Sequence, residues 1–128
     1  MREIEFRGKL NDTNHYHYVG WCYGSLVYSS SEDQYYIIEH CGDELSYPVD
    51  KETIGQFTGV CDKNGTKIFE GDILEFCFDY IGNQKAIIIY NNNYTSFMLK
   101  PLANFCFTTM SDGVVVGNIH DNPELLEV

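Results

Sequence analysis

The sequence predicts a mainly β fold of short antiparallel strands with little helix, and three observations carry that prediction. Val, Ile, Thr, Tyr, Phe and Trp, which suit a pleated and half-buried surface, make up 45 of the 128 residues, whereas Ala occurs only at 86 and 103. Gly, Asn, Asp and Ser interrupt the chain about every ten residues, the spacing of turns between short strands in a barrel or sandwich. Between those interruptions several segments alternate apolar and polar side chains, the period-two pattern of a strand with one buried face. A chain of this length buries roughly two-thirds of its unfolded surface as one domain, so folding does not depend on disulfides.

The elements follow in order. Glu3-Ile4-Glu5-Phe6-Arg7 reads as a first strand, with Ile4 and Phe6 directed inward and the charges outward. Tyr16 to Cys22, Gly24 to Tyr28 and Tyr35 to Glu39 are aromatic-rich strands, the last two joined by the polar loop Ser29-Ser30-Ser31-Glu32-Asp33. Gln56 to Val60 and Lys67 to Phe69 form a hairpin across Asp62-Lys63-Asn64-Gly65, whose Asn-Gly pair suits a two-residue turn because both central positions need positive φ. Glu70-Gly71-Asp72 turns the chain into Ile73 to Phe78, where Glu75 and Cys77 alternate with Leu74, Phe76 and Phe78. After the turn Ile81-Gly82-Asn83, Ala86 to Tyr90 is a continuous apolar run and is expected to be more deeply buried. Asn91-Asn92-Asn93 leads to a strand at Tyr94 to Leu99, and Ser111-Asp112-Gly113 to a last strand at Val114 to Ile119. Asp121 or Asn122 can then cap a short helical turn at Pro123 to Leu126, because proline suits the first helical position and Glu124 the positive end of the dipole.

Four ordered segments resemble the YopX family of phage and prophage proteins. They are Arg2-Glu3-Ile4-Glu5-Phe6-Arg7, Thr53-Ile54-Gly55-Gln56-Phe57-Thr58-Gly59, Asp62-Lys63-Asn64-Gly65-x-Lys67-Ile68-Phe69-Glu70-Gly71-Asp72-Ile73, and Val116-Gly117-Asn118-Ile119-His120-Asp121-Asn122-Pro123-Glu124-Leu125-Leu126. The pattern departs at Gly8, where the family more often has Ala, and Asn11 to Pro48 carries no matching motif. The resemblance implies a single YopX-like domain over residues 1–128, with an N-terminal β subdomain at about 1–50 and an SH3-like small barrel at about 54–128. It also implies a protein encoded by a bacteriophage or other mobile element and acting in the bacterial host cell. It implies no activity, so the matched positions transfer no functional site.

Charge narrows the function classes. The chain carries 19 acidic against 8 basic residues, a formal charge of −11 and a pI of about 4.5. A protein that gains affinity by neutralising nucleic-acid phosphates needs a basic footprint, and one that docks on anionic lipid needs the same, so neither partner is expected. The longest apolar runs fall far short of the ~20 residues that cross a bilayer. With an N-terminus that goes straight into a strand pattern, the expectation is a cytoplasmic protein. Cysteines at 22, 41, 61, 77 and 106 are odd in number and form no C-x-x-C pair, which argues against a disulfide framework or a zinc site. Each is expected to be a small buried hydrophobe. His15-x-His17, with Cys22 and His40 in the same half, is the nearest approach to a metal site, and no metal or other cofactor is expected.

Two readings of function from different classes remain. Between Leu10 and Asp50 there is no Lys or Arg, while Asp12, Glu32, Asp33, Glu39, Asp43, Glu44 and Asp50 lie among Tyr16, Tyr18, Trp21, Tyr23, Tyr28, Tyr35, Tyr36 and Tyr47. This segment thus holds −7 of the −11. It suits a non-enzymatic interaction module that meets a basic host or phage protein, with Glu32, Asp33, Asp43 and Glu44 as the charged contacts and Trp21 as an anchor. The bland reading is a solvated acidic face. The alternative is a small carboxylate- or metal-dependent hydrolytic or nucleic-acid-modifying enzyme built on Asp62, Glu70 and Asp72, which requires those carboxylates to converge. Carboxylates that flank turn glycines are more often bonded to their own backbone, so no catalytic residue is assigned. Homo-oligomerisation through exposed strand edges is a third reading.

Overall fold

A computed structural model of the chain describes residues 2–11, 20–41, 43–101 and 109–126. The chain is mainly β and divides into two compact units, Met1–Phe57 and Thr58–Val128. The chain passes from one to the other within a single strand, Gly55–Cys61.

The first unit contains β1 (Phe6–Lys9), β2 (Trp21–Ser29), β3 (Gln34–Cys41), β4 (Asp43–Val49), a 3-10 turn at Lys51–Thr53, and the start of β5 (Gly55–Cys61). All its pairings are antiparallel, in the order β4-β3-β2-β1-β5. The sheet curls until β1 meets β4 at one end: Leu10 bridges Val49, Asn11 N–H donates to Pro48 O at 3.0 Å, and Asp50 N–H donates to Lys9 O at 2.9 Å. Inside the curl Leu10, Cys22, Ile37 and Val49 are buried, with Phe6, Leu26, Tyr35, Tyr47 and Ile54 packed around them. Gly8 is required at the seam, because a Cβ there would lie 2.8 Å from the Val49 Cβ.

Several expectations for this unit are corrected. The first strand begins at Phe6 rather than Glu3, and Ile4 is exposed. Arg7, expected outside, is buried, its guanidinium carbon 4.7 Å from the centre of the Trp21 ring. The aromatic strands read as separate on either side of Tyr23 are one continuous β2; of the expected strand at Tyr16 to Cys22, residues 16–19 lie outside the described residues. The sequence reading missed β4 because its Asp, Glu and Pro are poor strand formers. Pro48 is tolerated since β4 ends the strand order, where a missing N–H need not serve two neighbours.

The second unit contains the rest of β5, then β6 (Lys67–Phe69), β7 (Asp72–Phe78), β8 (Gly82–Asn91), β9 (Ser96–Pro101) and β10 (Val114–Asn118), with 3-10 turns at Met110–Asp112 and Pro123–Leu126. Its principal sheet is antiparallel in the order β10-β7-β8-β9. Ile68, Leu74, Phe76, Ala86 and Ile88 form the core, flanked by Phe78, Leu99, Met110 and Val115. The alternation read in β7 holds, with Leu74 and Phe76 buried and Cys77 exposed. The continuous apolar run of β8 does not mean two buried faces: Ala86 and Ile88 are buried, Ile87 and Ile89 half-buried, and Tyr90 exposed. Among the described residues these strands form an open sheet, and the closed SH3-like barrel expected at about 54–128 is not seen. The short turn at Pro123–Leu126 is present as a 3-10 turn.

Candidate functional site

The β2–β3 hairpin places the acidic, tyrosine-rich segment. Val27 pairs with Tyr36, Ser25 with Ile38, Tyr36 with Pro48 and Ile38 with Ser46. Directly paired residues share a sheet face, so Tyr23, Ser25, Val27, Tyr36, Ile38, Ser46 and Pro48 line the face opposite the core residues Cys22, Leu26 and Ile37. Tyr23 and Val27 each keep 42 % of their surface exposed, and Tyr36, Ile38 and Pro48 are half-buried.

The hairpin tip is held by its own side chains. Tyr28 Oη donates to Asp33 Oδ1 at 2.6 Å and Tyr36 Oη donates to Glu32 Oε2 at 2.7 Å. Ser29 Oγ reaches Glu32 Oε1 at 3.4 Å, and the Tyr28 and Tyr35 rings are tilted against each other at 4.8 Å. Asp33 has φ of 50°, a conformation Asp adopts more readily than most residues. Its hydrogen bond raises the pKa of the Tyr28 hydroxyl, and burial and the Asp33 charge act in the same direction. Both carboxylates are exposed, so the tip presents fixed negative charge beside tyrosine rings.

The predicted contact residues do not gather in one place. Glu32 and Asp33 precede β3, whereas Asp43 and Glu44 open β4, in register with Cys41 and His40 at the far end of β3. The two backbone positions lie roughly 30 Å apart along the strand at about 3.3 Å per residue. Trp21 starts β2, half-buried against Arg7, so its ring already serves the fold. Side chains of residues 40–44 lie outside the described residues, as do His15 and His17.

Of the three carboxylates suggested for chemistry, two have well-defined backbone bonds. Asp62 Oδ1 accepts the N–H of Asn64 at 2.8 Å and of Thr66 at 2.9 Å, while Oδ2 accepts Val115 N–H on β10 at 2.9 Å. Burial pushes its pKa up, but the N–H groups of Val115, Thr66, Asn64 and Gly65 outweigh it and hold the carboxyl below the usual range. The turn it locks differs from the two-residue type expected. Gly65 N–H donates to Asp62 O and Asp62 N–H to Thr66 O, and of the turn residues only Gly65, at φ 86°, is left-handed. This is a three-residue loop closed by a glycine bulge. Asp72, also buried, accepts Phe69 N–H at 2.8 Å, and Glu70 is half-buried. Among the described residues no three His, Cys, Asp or Glu side chains could hold a metal ion.

The remaining motif residues serve turns as well. Asn118 Oδ1 accepts from His120 and Asp121 N–H, and Asn122 Oδ1 accepts from Asn118 N–H at 3.2 Å. A Cβ at Gly117 would collide with Asn122 Oδ1. Ile119 N–H donates to Gly71 O and Gly71 N–H to Ile88 O, which ties the turn before β7 to β8 and to the turn after β10. Of the described cysteines, Cys22 is buried, whereas Cys61 and Cys77 are exposed, contrary to the expectation of buried thiols. Burial, with the charge of Glu39 second, pushes the Cys22 thiol up to about 11.

A family model described as YopX protein matches residues 5–127. The chain belongs to the YopX family. The four segments that carried the resemblance therefore identify the family through turn residues that this YopX chain uses to lock its own backbone. No curated protein matches the chain. It is similar to a solved structure titled "Crystal structure of protein EF1440 from Enterococcus faecalis", with 26% identity and a TM-score of 0.59 over 99% of this chain and 100% of that chain. Among the described residues no helix is long and apolar enough to cross a membrane.

Proposed function

We propose that this YopX-family chain is a phage- or prophage-encoded accessory protein. It acts without catalysis, by binding a basic host or phage protein through its acidic, tyrosine-rich first unit. The observation that carries the reading is the hairpin tip, where Glu32 and Asp33 are pinned by Tyr36 and Tyr28 in a stretch from Leu10 to Asp50 that has no Lys or Arg. Charges held in place lose little entropy on binding, and their field steers a cationic partner. The motif carboxylates support the same reading, since Asp62 and Asp72 accept backbone N–H groups and thereby order loops.

The test is a pull-down from bacterial lysate with the wild-type chain and with Glu32→Lys/Asp33→Asn. Asn keeps the positive φ of position 33 accessible while removing its charge. The wild type should recover a basic protein at low salt that is lost at 0.5 M salt and lost with the variant, because a Debye length of about 3 Å at 1 M screens exposed charges. Recovery of nothing at low salt, or identical recovery by both proteins, would sink the reading.

A further inference from the structure

The outward face of β2–β3–β4 combines two features that rarely occur together on an unpartnered surface. It is apolar and aromatic at its centre, through Tyr23, Val27, Tyr36, Ile38 and Pro48, and Glu32 is fastened at its rim by the Tyr36 hydroxyl. Three strands at about 4.8 Å spacing and the run from Tyr23 to Val27 at about 3.4 Å per residue make a face of roughly 10 by 14 Å. That area accommodates one strand or one helical face rather than a broad globular surface, which needs about 800 Å² per partner.

Charge decides the occupant. A second copy seated on this face would bring Glu32 and Asp33 of two molecules into one interface inside a segment that carries −7, and like charges at an interface core are disfavoured. Nucleic acid and anionic lipid are repelled for the same reason. A segment with an apolar stripe and flanking Lys or Arg satisfies both features at once. We propose that the outward face of β2–β3–β4 is a docking surface for a short cationic amphipathic segment of a partner protein, with Tyr23 and Val27 contacting its apolar stripe and Glu32 its basic flank. This rests on the interaction-module reading above and specifies which surface and which partner chemistry it uses.

Two fluorescein-labelled synthetic peptides of equal length and charge test it by anisotropy. One alternates Leu and Lys, and the other has every Leu replaced by Gly. The chain should bind the Leu/Lys peptide at least tenfold more tightly than the Gly/Lys peptide at low salt. Tyr23→Thr/Val27→Thr, which keeps strand-forming residues, should bring the two affinities together, whereas Glu32→Lys should weaken both. Should the double variant fail to fold by circular dichroism, Ser25→Lys places a repelling charge between Tyr23 and Val27. It should weaken Leu/Lys binding about tenfold, and Asn92→Lys on an exposed turn of the second unit should weaken it far less. Equal binding of the two peptides by the wild type overturns the docking face while leaving the acidic reading intact. Binding of neither peptide at low salt overturns both. A dimer in light scattering that Tyr23→Thr/Val27→Thr dissolves assigns the face to a second copy and also overturns the proposal.

Discussion

Replacing Asp62 tests the structural role of the motif most directly. Its carboxylate accepts three N–H bonds, two within its own loop and one from Val115, which is 53 residues away in sequence. Hydrogen bonds to charged groups contribute about 1.5–3 kcal/mol each, and part of that is recovered where water can reach the abandoned donor. Asn64 and Thr66 lie in an exposed loop and regain water, while Val115 N–H, half-buried on β10, does so less readily. Asp62→Ala should therefore cost about 3–5 kcal/mol. Asp62→Asn keeps the loop bonds but sets an NH₂ against Val115 N–H, costing about 1.5–3 kcal/mol. Urea denaturation measures both values, and hydrogen exchange at the Val115 amide should show increased opening before the β7 and β8 core amides. The pH dependence has a definite sign. The folded-state pKa lies below the usual value, so the stabilisation is fully present above about pH 4 and is lost as pH falls through the folded pKa. Asp62→Asn should flatten that part of the acid limb. A loss under about 0.5 kcal/mol for Asp62→Ala, typical of a surface site, would refute the argument.

Two further outcomes follow from close approaches and burial in the first unit. Gly24→Ala should separate β2 from β3, because a Cβ would strike the Ile38 carbonyl oxygen; its cost should exceed the ~1–3 kcal/mol typical of overpacking, and a melting temperature within a few degrees of wild type would contradict this. A thiol at about 11 holds about a hundredfold less thiolate at pH 8 than one at the ordinary 9.0, so iodoacetamide should label Cys61 and Cys77 well before buried Cys22. Labelling of Cys22 at a comparable rate, mapped by mass spectrometry, would show that the core opens readily.

Much of the strand pattern was legible because period two is a local property. Leu74, Phe76, Glu75 and Cys77 take the faces that their alternation assigns, and Ser30 to Asp33 form the turn that their polarity suggests. The candidate surface was legible as a composition, a tyrosine-rich segment without cations, but not as a place. Which tyrosines share a face depends on the β2–β3 register, and that register separates Glu32 and Asp33 from Asp43 and Glu44 by the length of a strand. Arg7 shows the limit in the other direction, since a charge next to an apolar residue reads as solvent-facing until a Trp ring is found above it.

By itself, then, the sequence determined the β class, the sign and location of the charge, and membership of the YopX family. Each of these depends on residue identity or on spacings of a few positions. Only the tertiary structure decided what the family motifs are for and which face of the first unit remains open. Asp62 meets Val115, and Val27 lies between Ser25 and Tyr36, through contacts made when distant strands pair; such contacts depend on register and curl, which no local pattern encodes.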